Sequence, residues 1–428
     1  MRYITLPENI ETGHFVLDNG ALAAVPEVIK KAFPGCRVQI IADGNTYKAA
    51  GEKVFQLCKE NDLQPYEPIL LPADPRPHPD YALSQQLSQQ LPADCVPVAV
   101  GSGVINDLIK CASDICKKRY CCVATACSVD GYTSNGGAMS VDQLKKTVPC
   151  PAPYALIADT AVMQTAPAEM LASGYADLMS KVTGGADWII ADELGIEKIA
   201  PAIWSLVQDD LRDNLADPGN LEKIFLGLAA TGYSMQMYHD SRPASGAEHL
   251  CSHVWEMEKL SCNGQEISHG FKVGIGLLAV AQLQEFIINT PVEQARRLAA
   301  EPLDEDARKK EIAELLKLDC YGSNVSSLAL EKSLSGAELQ NRRELVFTAW
   351  NNLQKRLAKQ LLPSSELRKM LKNANAPTHF SQIGLSHAQY IHGIKAAQLI
   401  RKRYTVLDML YETGLLDAAI KTIQDIKL

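Results

Sequence analysis

Val96-Pro97-Val98-Ala99-Val100-Gly101-Ser102-Gly103-Val104-Ile105-Asn106-Asp107 decides the fold class of this 428-residue chain. The apolar run 96–100 reads as a strand, Gly-Ser-Gly follows as a turn, and helix-periodic sequence continues over 106–116. A strand that ends in glycine and opens a helix suits a phosphate. Backbone N–H groups can approach closely there, and the helix N-terminus adds the positive end of its dipole. Asn106 stands where G-x-G-x-x-G would place its last glycine, and no Gly-Lys-Ser/Thr follows as in a Walker loop. Taken alone, the turn reads equally well as a plain tight connection.

Its neighbours tip the balance. Strands are expected at Cys36–Ala42, Ile69–Leu71, Tyr120–Ala124 and Tyr154–Ala158, with a helix at Ser84–Leu91. Strands separated by helices imply a mostly parallel sheet with right-handed crossovers. Asp43 closes one strand and is placed to accept from an adenosine ribose hydroxyl. The loop Thr125-Ala126-Cys127-Ser128-Val129-Asp130-Gly131-Tyr132-Thr133-Ser134 closes another. Ligands of open α/β sheets bind at such carboxyl ends, so three of them together favour a dinucleotide. From about Thr165 the pattern becomes helical: Ile203–Leu215, Leu221–Thr231, Val273–Ile288, Ala307–Leu316, Ala337–Leu357 and Ala388–Tyr411. The expected fold is an α/β nucleotide-binding domain over residues 1–163 and an all-α metal and substrate domain over 164–428.

A net charge of −8 argues against a nucleic acid or an anionic membrane as partner, since both are met by clustered Lys/Arg. The N-terminal residues lack a signal-peptide apolar stretch, and the apolar run Val273–Leu283 is too short to span a bilayer. A cytoplasmic protein without membrane insertion is expected. Among 12 cysteines, Cys111, Cys116, Cys121, Cys122 and Cys127 fall close together. Their spacing matches neither a zinc ribbon nor an iron–sulfur pattern, so they are expected as reduced, mostly buried thiols.

The chain has only 9 histidines, yet His249, His253 and His269 fall within 21 residues of one another. On a helix, His249 and His253 at i, i+4 share a face, and either could reach a metal. Leu250 follows His249, which excludes the H-E-x-x-H of metalloproteases. With Asp177 as a carboxylate partner, mixed N/O ligation suits Zn²⁺, Ni²⁺, Fe²⁺ or Mn²⁺ rather than Ca²⁺ or Mg²⁺. His379, His387 and His392 have no acidic partner nearby in the sequence and are read as structural.

The order of motifs is more specific than any one of them. Gly101-Ser102-Gly103-x-Ile105-Asn106-Asp107, Thr125-x-x-Ser128-x-Asp130-Gly131-x-x-Ser134, Gly174-x-x-Asp177-x-x-x-Lys181 with Ala186-Asp187-Trp188, Ser241-Arg242-Pro243-Ala244-Ser245-Gly246-x-Glu248-His249, and His269-Gly270-x-x-Val273-Gly274 occur in sequence. This resembles the sn-glycerol-1-phosphate dehydrogenase family, within the superfamily of glycerol dehydrogenase, iron-type alcohol dehydrogenases and dehydroquinate synthase. The likeness covers Gly20 to Leu283 and resumes at Ile400–Leu407, and Ser241–His249 is its most diagnostic part. Cys127, Val129, Phe271 and Lys272 depart from the usual pattern.

The resemblance implies a dehydroquinate synthase-like fold and reversible reduction of dihydroxyacetone phosphate by NADH or NADPH. It implies one divalent metal (Zn²⁺, Ni²⁺ or Fe²⁺) on Asp177, His249 and His269. It places Asp130, Asp177 and His253 at the substrate. The cofactor would meet Asp43, Gly101, Ser102, Gly103, Val104, Ile105, Thr125, Ala126, Cys127, Ser128 and Ser134. A small phosphorylated ketone or polyol is the implied partner, and a homodimer or larger homo-oligomer the implied assembly. Lys145, Lys146, Lys181 and Arg242 lie near the motifs as cations for the phosphate. Glycerol dehydrogenase activity on an unphosphorylated polyol, and a dehydroquinate synthase-like lyase that shows no net cofactor turnover, remain as alternatives.

Overall fold

The computed structural model of the chain describes residues 1–141 and 144–423, and its contacts group into two compact units. The first comprises Met1–Leu178 with Arg212–Asp240, and the second Met179–Leu211 with Ser241–Leu428.

The first unit is built on six parallel strands: β1 (His14–Asp18), β2 (Arg37–Asp43), β3 (Ile69–Leu71), β4 (Cys95–Gly101), β5 (Cys121–Ala124) and β8 (Ala155–Asp159). They lie in the order β1-β8-β5-β4-β2-β3. The β4, β5 and β8 strands are buried throughout, which is why they read as continuous apolar runs rather than alternating ones. Val98, Val123 and Ile157 of the sheet pack with Val25, Val28 and Ile29 of a flanking helix in one core. From β2 the chain moves outward to β3, then crosses back to β4 on the other side of β2. The reversal between β2 and β4 is the position where such sheets open a crevice at their carboxyl ends.

Three strands of the first unit were not expected from the sequence. β1 is a five-residue edge strand, and its half-buried polar ends dilute a short apolar centre. β6 (Gly137–Val141) and β7 (Leu144–Val148) form a separate antiparallel pair of mixed, partly basic sequence with little apolar alternation. Two helices, Leu221–Tyr238 and nearly all of Ala168–Met179, group with the sheet rather than with the other helices. Gly232 lets the first of these approach the 130–134 loop so closely that a Cβ there would lie 1.9 Å from Thr133 Oγ1. Thr133 Oγ1 donates to Ala229 O (2.8 Å), and Gln236 Nε2 donates to Thr133 O (2.5 Å).

The second unit is helical around three fully buried tryptophans, Trp188, Trp255 and Trp350. Its apolar helix runs over His269–Asn289, longer than the expected 273–288. That helix is long and apolar enough to cross a membrane by length and composition, but 78% of the qualifying window is buried inside the protein. It serves here as the core helix of its unit. The expected helix at 388–411 is instead two, His387–Ala397 and Val406–Glu412. The break has one local cause and one distant one. Thr405 opens the second helix through a capping box with Asp408, and Arg403 bonds to Ser241 and Ser245. The expected helix at 203–215 is likewise divided, into Pro201–Gln208 and Leu211–Asn214.

Candidate functional site

The dinucleotide positions begin with backbone. β2, β4 and β5 lie side by side, so Asp43, Gly101 and Thr125 meet at one end of the sheet, where Thr125 N donates to Gly101 O (3.1 Å). Ser102 precedes the helix Gly103–Ile115 with no side-chain cap, so the first-turn N–H groups of Gly103, Val104 and Ile105 carry no protein acceptor from that source. A Cβ on Gly101 would lie 2.5 Å from the Cβ of Ile105, and one on Gly103 would lie 3.1 Å from Val129. These two glycines let the helix start lie close against β4 and Val129, with first-turn N–H groups that have no acceptor among the described residues. The residues present therefore fit a phosphate-bearing cofactor.

Asp43 has a second duty. Its Oδ1 caps its own helix by accepting from Asn45 N (2.8 Å) and Thr46 N (2.9 Å), which leaves Oδ2 without a partner among the described residues. Along the β5 loop, Ala126 O accepts from Tyr132 OH (2.7 Å), and Cys127 is buried with its thiol pushed well up by burial. Cys127 therefore offers a cofactor backbone rather than sulfur. Ser128 is buried as well, and Ser134 Oγ lies 3.1 Å from Gly131 O and 3.3 Å from Lys110 Nζ. Lys110 gave no signal in the sequence. Fully buried, it donates to Gly131 O, Ser134 O and Gly136 O, each at 2.9 Å, and so fixes the loop that carries Asp130. Asp130 N in turn donates to Asp177 Oδ2 (3.1 Å).

The imidazoles are held by carboxylates. His249 and His253 lie on the helix Ala247–Met257, and His269 opens the helix His269–Asn289. The chain reverses between them through Asn263-Gly264, both at positive φ (53° and 76°), the backbone that a tight hairpin turn requires. Gly276 then lets the two helices touch, since a Cβ there would lie 2.5 Å from Glu248 O. The ring centroids of His249 and His269 are 5.4 Å apart, and those of His253 and His269 6.1 Å. His249 Nδ1 bonds Glu248 Oε1 (2.9 Å), His269 Nδ1 bonds Glu256 Oε1 (2.9 Å), and His253 Nδ1 lies 3.3 Å from Glu256 Oε2. A carboxylate only accepts, so each Nδ1 is the donor in these bonds, which leaves Nε2 as the ring nitrogen available to a ligand. Asp177, in the first unit, is a fully buried carboxylate, and His249 and His269 are held side by side in the second. Two imidazoles and a carboxylate form a donor set that fits a divalent transition metal.

The chain has relatives of known family. A family model described as iron-containing alcohol dehydrogenase matches residues 16–167. A glycerol-1-phosphate dehydrogenase [NAD(P)+] of Halalkalibacterium halodurans is 31% identical over 343 residues, covering 77% of this chain and 84% of the relative. One from Methanospirillum hungatei is 32% identical, covering 66% and 76%. The chain belongs to the glycerol-1-phosphate dehydrogenase family. Solved structures agree on the fold. Glycerol dehydrogenase from Schizosaccharomyces pombe superposes with a TM-score of 0.58 at 15% identity, over 96% of this chain and 90% of that one. Sulfoacetaldehyde reductase from Bifidobacterium kashiwanohense, solved with NAD+, gives 0.54 at 14% identity, over 96% of this chain and 98% of that one.

Within this family framework, the supporting residues were the part that sequence reading missed. Glu248 also accepts from Gly246 N (2.6 Å) and Thr183 Oγ1 (3.0 Å). Burial works to raise its carboxyl, but the bond and charge of His249 win and hold it low. Glu256 is balanced by Lys272 Nζ at 3.2 Å. Asp187 Oδ2 accepts from Ala247 N (2.7 Å) at the start of the His249 helix, while its Oδ1 accepts from Val406 N (3.0 Å) and Gln284 Nε2 (2.9 Å). Burial, and then the charge of Glu248, push the Asp187 carboxyl up to about 7. Two of the cations near the motifs are buried. Arg242 is buried and donates to Asp187 O and Tyr404 O, both at 2.9 Å, and Lys181 is fully buried. Lys146 is exposed, and the side chain of Lys145 lies outside the described residues.

Proposed function

We propose that this chain catalyses the reversible reduction of dihydroxyacetone phosphate to sn-glycerol 1-phosphate, with the metal on Asp177, His249 and His269. The observation that carries the reading is the carboxylate-backed pair His249 and His269, in a chain whose relatives bear that activity in their names. When bound, the cation supplies positive charge to a carbonyl oxygen and the dinucleotide supplies the hydride.

The chain's own residues do the rest. Gly101 to Ile105 hold the cofactor phosphates on helix N–H groups, and Thr125, Ser128 and Ser134 border that turn. Asp43 offers Oδ2 to a ribose hydroxyl and repels a 2′-phosphate, so NADH is favoured over NADPH. His253 handles the substrate proton with Asp130 beside it. Burial lowers the His253 imidazole well below its usual range, although Glu256 works against that. It therefore stands neutral near pH 7 and accepts at Nε2 during alcohol oxidation, while Glu256 steadies the charge that forms. In reduction the same ring returns the proton. The reading also carries a cytoplasmic homo-oligomer, which light scattering on the metal-loaded protein tests.

The deciding experiment follows NADH oxidation by the metal-reconstituted protein with ketones that carry or lack phosphate. Dihydroxyacetone phosphate should be turned over far faster than dihydroxyacetone. Equal rates would make the protein a glycerol dehydrogenase. No net cofactor change with any ketone would end the dehydrogenase reading.

A further inference from the structure

We infer that Cys111 and Cys150 are a dithiol that a small peroxide closes into a disulfide. Their sulfurs lie 3.6 Å apart, the one thiol–thiol hydrogen bond among the described residues. Cys111 sits on the helix Gly103–Ile115, and Cys150 lies just beyond β7, 39 residues along the chain. The backbone holds them together. Gly136 N donates to Cys150 O (2.8 Å), and a Cβ on Gly137 would lie 2.9 Å from Cys111 Sγ, so Gly137 walls the pair from that side. Reaching a disulfide length of about 2.05 Å needs side-chain rotation at two residues whose sulfurs already touch.

The two thiols are not equivalent. Cys150 is 7% exposed and Cys111 only 1%, so the reagent meets Cys150 first. The hydrogen bond from Cys111 lowers the Cys150 thiol against burial, and the buried ammonium of Lys110 helps. The remaining buried thiols, Cys58, Cys95, Cys121, Cys122, Cys127 and Cys251, are all pushed up by burial. Cys150 is thus the one of these buried thiols that is shifted downward, and it has a resolving partner in contact.

The chemistry balances with hydrogen peroxide as the two-electron oxidant. The Cys150 thiolate attacks one peroxide oxygen, the O–O bond breaks, and hydroxide leaves to take up a proton as water. Cys111 sulfur then attacks the Cys150 sulfenic sulfur, the S–O bond breaks, and a second water leaves. Two thiols and one peroxide give one disulfide and two waters.

The test uses the full-length protein carrying Cys116→Ser, because Cys111 and Cys116 share a tryptic peptide. After hydrogen peroxide treatment, free thiols are alkylated in denaturant and the digest is read by mass spectrometry. The expected result is a Cys111–Cys150 linked peptide that disappears on reduction. Added Cys111→Ser should stop the link and leave Cys150 as a dimedone-reactive sulfenic acid. The proposal is overturned if both sulfurs remain alkylated at peroxide levels that oxidise the more exposed Cys36, or if either links to another cysteine instead.

Discussion

The glycine turn at 101–103 and the histidine cluster at 249–269 are built from different material. The turn works by leaving side chains out: Gly101 and Gly103 let the helix start lie close against β4 and Val129, and its bare first turn supplies donors. The cluster works by adding side chains in layers, with His249 on Glu248, His269 on Glu256, Glu256 beside Lys272, and the helix start on Asp187. A backbone site is damaged by adding one carbon atom. A side-chain site is damaged by removing any of several groups, each to a different degree. Substitutions should therefore grade in size within the cluster and separate cleanly from those at the turn.

The largest effect belongs to the proposed ligands. His249→Ala and His269→Ala should each lose bound metal and bring turnover to background, a greater loss than the roughly 10–100-fold typical of residues that only support a ligand. Metal analysis beside activity decides it, and full metal content in either variant would remove that histidine from the ligand set. Next comes His253→Ala. Turnover should fall by on the order of 10²–10⁴, as for lost acid–base assistance, while metal content and NADH affinity hold. Metal lost from this variant but kept by His249→Ala would exchange the two roles.

Glu256→Gln sharpens the picture inside the cluster. The amide keeps the shape but removes the charge that two imidazoles and Lys272 share. Metal affinity should drop about 10–100-fold. The variant should recover activity at high metal concentration, which the ligand variants should not do. A wild-type metal titration curve would show that Glu256 only packs.

The same contrast explains what the sequence disclosed. The turn was legible because its parts are contiguous: a buried strand, two glycines and a helix start lie within a few residues. The parallel sheet was legible for the same reason, since buried strands such as β4 and β8 are unbroken apolar runs. The histidines stood out by type and spacing. Their supports did not, because Asp187, Glu256 and Lys272 are charged residues that resemble surface residues until the fold buries them. Lys110 was hidden likewise, since a lysine on a helix reads as solvated and nothing local foretells three loop carbonyls around its ammonium. The break in the 388–411 helix depended on Arg403 reaching Ser241 and Ser245, a contact across 162 and 158 residues respectively.

The smallest effect tests the turn itself. Gly101→Ala adds one methyl group, 2.5 Å from Ile105 Cβ and 2.7 Å from its Cγ1. Neither atom can yield by rotation alone, because Ile105 Cβ is fixed to the helix backbone. The first turn of the helix must move away from β4, and the N–H groups proposed to hold the cofactor phosphates move with it. Overpacking of this kind costs about 1–3 kcal/mol, and about 1.4 kcal/mol corresponds to a tenfold change in affinity. NADH binding measured by fluorescence titration should therefore weaken by on the order of tenfold, with a modest fall in melting temperature. Metal content should stay at the wild-type level, since no group in the histidine cluster is altered. Gly103→Ala, whose added carbon meets only Val129 at 3.1 Å, should weaken NADH less. If Gly101→Ala lost metal while binding NADH normally, the division between a backbone-built cofactor site and a side-chain-built metal site would fail.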